Sequence, residues 1–243
     1  MSGHSHWHGI RHKKALTDAK KASVFTKFGK LITISAKEGG GDSSMNVRLR
    51  LLIDQARSAN MPKENIEKAI KRGTGELKEG GDIQEIVYEG LIPVTYGHIS
   101  LMILVATDNK NRSVSEIKTI LKKSGGQMVP NGSVGYLFEN VGIIELSTDQ
   151  KISQDDLEMT VIDAGACDME IKDDSLIIYT EVKDIKKTQN NLLEQSLSIT
   201  DSTIGYRATQ KVTLTENEYA MYESLLEQLD EQEDVQSIYD NVG

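Results

Sequence analysis

Between Gly142 and Ala208 six short segments follow one another with alternating hydrophobic period, and their order restricts the fold more than any other feature of the sequence. "GIIELS" reads as a strand, "DLEMTVIDAGA" as a helix, and "DMEIKDD" and "LIIYTEV" as two strands. "KDIKKTQNNLLEQ" is then a helix and "ITDSTIGYRA" a strand. The order β-α-β-β-α-β fits a ferredoxin-like two-layer sandwich. Two further strands precede it, "IQEIVYEGL" and "GHISLMILVATDN", with a helix "SVSEIKTILKKSGG" after them. Ser113 and Glu116 have the spacing of a capping box at the start of that helix. The tail offers a strand "QKVTLT", a helix "ENEYAMYESLLEQLD" and a strand "VQSIYDN". Neither the early strands nor the tail close a core alone. The tail is therefore expected to return to residues 82–130, giving a discontinuous α/β domain (82–130 plus 207–243) with residues 131–206 inserted as the ferredoxin-like domain.

The first third has a helical period throughout. Val24, Phe28, Leu31, Ile32 and Ser35 form one stripe, ended by Gly39-Gly40-Gly41. Leu49, Leu52, Ile53 and Ala56 form a second, and Ile66, Ala69 and Ile70 a third, with Pro62 in its first turn. A preceding segment, "HKKALTDAKKAS", has a stripe made mostly of alanine and buries little. It is read as a separate helix, mobile or docked on a partner. Residues 1–75 are thus a basic arm and a three-helix bundle, joined by the glycine-rich "GTGELKEGGD" to the rest of the chain. The fold class is α+β in three domains: the bundle and two α/β domains, one ferredoxin-like and inserted in the other.

Charge divides along the same line. The whole chain of 243 residues carries a formal −9. Through Gly75 there are 15 Lys and Arg against 6 Asp and Glu, a balance of +9; the rest holds 13 against 31, a balance of −18. Such segregation points to a polyanion-binding module on an acidic body. The single cysteine, Cys167, excludes an internal disulfide and reads as a small buried apolar residue. There is no 18-residue apolar run and no secretory h-region, so neither membrane nor secretion is expected and the location is read as cytoplasmic.

Catalytic patterns are missing. The glycine clusters lack both the P-loop lysine and a strand-to-helix G-x-G-x-x-G. His98 is the one histidine beyond residue 12, so no Ser-His-Asp or Cys-His set can be assembled. The arm "GHSHWHGIRHKK" allows three readings. His8 and His12 at i, i+4 could hold a metal, but a closed site needs two more ligands. The arm could be a disordered polar terminus. Or Trp7 stacks on a base while Arg11, Lys13 and Lys14 meet phosphates. The nucleic-acid candidates are Trp7, His8, Arg11, Lys13, Lys14, Lys20, Lys21, Lys27, Arg48, Arg50, Arg57, Lys63, Lys71 and Arg72. Asn111 and Arg112, at a helix start, could meet a further anion. No cofactor, no metal and no catalysis are expected, and a monomer is favoured.

"GHSHWHGIRHKKALTDAKKASVFTK", "EGGGD", "NVRLRLLIDQARSANMPKENIEKAIKRGTGE", "YEG", "TDNKNRSVSEI", "SGG" and "GSVGYLFE" together resemble the YebC/PmpR family. The resemblance implies an N-terminal helical domain and two α/β domains, one inserted in the other, with no enzymatic activity and no cofactor. Its members are described as probable transcriptional regulators, a mitochondrial relative activates translation, and bacterial relatives are implicated in relieving ribosome stalling. The expectation is a DNA-binding transcriptional regulator. The alternatives are a ribosome-associated translation factor binding rRNA or tRNA, and a protein-interaction adaptor.

Overall fold

The computed structural model describes residues 18–77, 81–147, 154–172 and 175–243. These residues form seven α-helices and two four-stranded sheets. They divide into two compact units, one running to Phe138 and resuming over Ala208–Gly243, the other spanning Glu139–Arg207.

The first unit opens with α1 (Asp18–Gly39), α2 (Val47–Ser58) and α3 (Lys63–Gly73). Phe28, Ile32, Leu49, Leu52, Ile53 and Ile66 meet in one apolar cluster, so the three stripes face each other as their spacing requires. α1 runs without a break from Asp18, so the alanine-rich segment joins the first helix over its described part and is no separate element. Asn46 fastens the α1–α2 corner. Its Nδ2 donates to the Ser35 and Gly40 carbonyls at 2.8 and 3.0 Å, and its Oδ1 accepts from the Leu49 amide at 3.0 Å. One side chain thus serves the end of one helix and the start of the next. Gly73 lies where α3 meets α1: a Cβ there would overlap the Thr33 carbonyl oxygen and Ala36.

The same unit holds a sheet of β1 (Gln84–Val94), β2 (Gly97–Thr107), β3 (Gln127–Val129) and β8 (Val235–Asp240), ordered β3-β1-β2-β8 with antiparallel neighbours. The helices α4 (Lys110–Lys123) and α7 (Glu216–Glu231) pack on one face, against Ile99, Leu101, Ile103 and Val105 of β2. Ala106, pointing the other way, meets Ile34 of α1. β2 is thus covered on both faces, which is why "ISLMILVA" reads as a nearly unbroken apolar run. The short β3 has no counterpart among the strands expected from the sequence. The expected strand "QKVTLT" reduces to a single bridge, Val212 to Val242. Three residues later Thr215 is already the N-cap of α7, so the segment is committed to entering that helix.

The second unit contains β4 (Phe138–Ser147), α5 (Gln154–Asp163), β5 (Asp168–Lys172), β6 (Ser175–Thr180), α6 (Ile185–Glu194) and β7 (Ile199–Ala208). Its sheet order, β5-β6-β4-β7, is that of the ferredoxin-like sandwich. This unit begins at Glu139 and not at residue 131. The reason is the buried Glu89 of β1. Its carboxylate accepts the amides of Gly132 and Val134, each at 2.6 Å, and of Gly135 at 3.1 Å, holding the loop after β3 to the first unit. Cys167 is exposed, contrary to the expectation of burial. It stands just before β5, an edge strand, with its amide donated to the Tyr179 carbonyl at 2.8 Å.

Candidate nucleic-acid interface

Residues 1–17 lie outside the described residues, so Trp7, His8, Arg11, Lys13 and Lys14 have no structural account, and neither has the side chain of Lys20. The remaining candidates of the bundle are positioned by α1, α2 and α3, and most of their charges are answered within the molecule. Lys27 is buried, and its Nζ donates to the backbone carbonyl and carboxylate of Asp230 at 2.8 and 3.0 Å. Lys27 is therefore a tie between α1 and α7 and belongs to no open basic face. Arg48 pairs with Glu85 and, at 3.4 Å, with Glu38. Arg57 pairs with Asp54 at 3.6 Å and Lys63 with Glu67 at 3.5 Å. These exposed helix pairs are weak and open readily to a competing phosphate. Arg72 donates to the Gly81 carbonyl at 3.0 Å. Lys21 is exposed and has contacts of its own. Arg50 and Lys71 carry no ion pair among the described residues, Arg50 half-buried and Lys71 exposed.

A charged hub that the sequence does not mark joins the bundle to the sheet. Asp234 is fully buried just before β8. It accepts from Lys30 Nζ at 2.7 Å, from Arg112 Nη2 at 2.9 and 3.1 Å, from Ser113 Oγ at 2.7 Å and from Thr107 Oγ1 at 3.1 Å. Burial alone would raise its pKa. Hydrogen bonds from Lys30, Arg112 and Ser113 outweigh that and hold the carboxyl well below the usual carboxylate range.

The hub also engages one of the two residues of the expected anion contact, Arg112, and leaves Asn111 open. α4 begins at Lys110 with Asn109 as N-cap, its Oδ1 accepting the Arg112 amide at 3.2 Å. Ser113 is therefore no cap, and the spacing to Glu116 is incidental: its hydroxyl is buried against Asp234. The Arg112 guanidinium is held by Asp234 and by Asp108, the latter at 3.2 Å. Asn111 is exposed on the first turn of the helix. What remains open on α4 is further along: Lys110, Lys118, Lys122 and Lys123 are exposed, and none has an ion pair among the described residues. Their spacing was visible in the sequence, but the acidic sum of the surrounding chain concealed them.

Among the described residues no helix is long and apolar enough to cross a membrane, and no group of three or more His, Cys, Asp or Glu is arranged to hold a metal ion.

Comparison with known proteins places this architecture. The family model described as "TACO1/YebC protein N-terminal domain" matches residues 5–76, and that described as "TACO1/YebC second and third domain" matches residues 83–242. The chain belongs to the TACO1/YebC family. A relative named "Probable transcriptional regulatory protein" in Thermoanaerobacter pseudethanolicus is 40% identical over 242 residues, covering 100% of this chain and 97% of its own. One of the same name in Chlorobaculum tepidum is 43% identical over 243 residues, covering 100% and 95%. The crystal structure of a conserved hypothetical protein from Aquifex aeolicus superposes with a TM-score of 0.87 at 37% identity, covering 98% of this chain and 97% of that one. The boundary between the two TACO1/YebC matches falls in "LKEGGD", after the last helix of the bundle.

Proposed function

We propose that this protein is a non-enzymatic, nucleic-acid-binding regulator of gene expression that acts on DNA as a transcriptional regulator in the cytoplasm. The observation that carries the reading is likeness over the whole chain to proteins named probable transcriptional regulatory proteins. The segregation of charge supports a polyanion as the target: +9 through Gly75 against −18 beyond it. Contacts from Lys and Arg to phosphate position a protein without reading sequence, so DNA and RNA are separated by experiment.

Two measurements test the reading. Titrating the full chain against duplex DNA over a salt series should give binding that weakens steeply with salt, by about 0.9 in log–log slope per phosphate contacted. Chromatin enrichment at promoters, with no co-sedimentation with ribosomes, would accord with transcription. Co-migration with ribosomes in a sucrose gradient, without promoter enrichment, would replace DNA with the translational reading. Binding to neither nucleic acid at low salt would leave the adaptor reading.

A further inference from the structure

We infer that the exposed face of α4, in the acidic part of the chain, is a second phosphate-binding surface that meets the nucleic-acid backbone alongside the bundle. This rests on the proposal that the protein binds nucleic acid.

Of the 13 cations beyond Gly75, five lie in the 14 residues of α4, with Glu116 the helix's one carboxylate. Pairing matters more than the count. In the bundle most described cations already face a carboxylate, Lys27, Lys30 and Arg48 in partly buried pairs and Arg57 and Lys63 in weak exposed ones. On α4 only Arg112 does so; Lys110, Lys118, Lys122 and Lys123 project into solvent without an ion pair among the described residues. Ser113, Ile117 and Leu121 turn inward, and Asn111, Ser115, Lys118 and Lys122 share the outward line at intervals of four, three and four. From Lys110 to Lys122 the helix rises about 18 Å, a length of duplex axis that carries about ten phosphates.

The neighbours sharpen this. α7 packs beside α4 on the same face of the sheet and carries six carboxylates and no cation. A polyanion is thus drawn to one helix and repelled by the next, which fixes the edge of the surface. At its other end α4 reaches the bundle, because Arg112 of α4 and Lys30 of α1 converge on the same carboxylate of Asp234. Arg112 is neutralised there and acts as a positioning residue for the helix start. None of the exposed residues of α4 is apolar or aromatic. A protein partner would need such residues at the centre of its footprint, whereas a phosphate backbone needs only well-spaced cations.

The test uses the full chain and its quadruple variant Lys110→Gln, Lys118→Gln, Lys122→Gln and Lys123→Gln. Each is titrated by fluorescence anisotropy against a random-sequence DNA duplex and a single-stranded RNA, across a sodium chloride series. The variant should melt within a few degrees of the parent, because every substituted side chain is exposed. The magnitude of its salt slope should fall by about 0.9 on the duplex, or about 0.7 on the single strand, for each lysine that meets a phosphate, about 2–4 in all. Whichever probe loses more identifies the strand α4 meets. If the quadruple variant unfolds, the mid-helix pair Lys118→Gln and Lys122→Gln serves in its place. A folded variant with the parent's slope on both probes overturns the inference, and leaves the bundle reading standing if Lys71→Gln with Arg72→Gln still weakens binding. A parent that binds neither probe at low salt overturns both.

Discussion

Asp234 joins elements that are distant in sequence: Lys30 of α1, Thr107 of β2, and Arg112 and Ser113 of α4. Its carboxyl is held below its ordinary range, so it binds fewer protons in the folded chain than in the unfolded one. The stability it contributes is complete above the unfolded pKa of about 3.9 and is lost as pH falls from there through the folded value. Asp234→Asn should destabilise the first unit by about 3 kcal/mol at neutral pH, since Lys30 and Arg112 lose their counter-charge. The variant should also flatten the pH dependence of urea unfolding below about pH 5; an unchanged profile would mean that the charge of Asp234 contributes nothing to it. Glu89 makes a similar commitment to backbone. Glu89→Gln places an NH2 where three amide donors converge, and should cost about 1–3 kcal/mol. Faster hydrogen exchange at Gly132, Val134 and Gly135, with the rest of β1 protected, is the expected signature.

At the scale of elements, α3 separates charge from packing. Ile66 is buried in the bundle core, and Ile66→Ala should cost about 2–5 kcal/mol. Lys63→Gln, Lys71→Gln and Arg72→Gln together should cost little, about 0.3–1 kcal/mol for each cation that favours the helix C-terminus, and should weaken binding to all nucleic-acid sequences alike. A triple variant that binds like the parent at low salt would make these three cations a solvated face. Helices of this kind were legible because their stripes face one another within 30 or 40 residues. The β-α-β-β-α-β unit was legible for the same reason: its order is local. What escaped the sequence depends on distant partners. β3 is three residues long and exists only by pairing with Glu89, Gly90 and Leu91. The site was less legible still. Lys27 looks like a surface cation until Asp230, some two hundred residues away, takes its ammonium.

For the whole molecule the consequence is cooperativity. By composition the basic bundle and the first α/β domain look separable at the glycine-rich linker. In the structure they form one compact unit: Ile34 of α1 packs on Ala106 of β2, and Lys27 and Lys30 are tied to Asp230 and Asp234. Cutting after Gly75 would bare that apolar contact, take the Lys27 ammonium from Asp230, and leave the fully buried Asp234 with Arg112 as its one cation among the described residues. Scanning calorimetry should therefore show one transition for the bundle and first sheet together. Ile66→Ala in the bundle and Asp234→Asn at the sheet should lower the same transition, by several degrees each. Ile178→Ala, in the core of Glu139–Arg207, should leave that transition in place and lower another. If Ile66→Ala instead splits off a separate melting of the bundle while the sheet holds its temperature, the Lys30–Asp234 tie is too weak to couple them, and the bundle moves as an independent module on its linker.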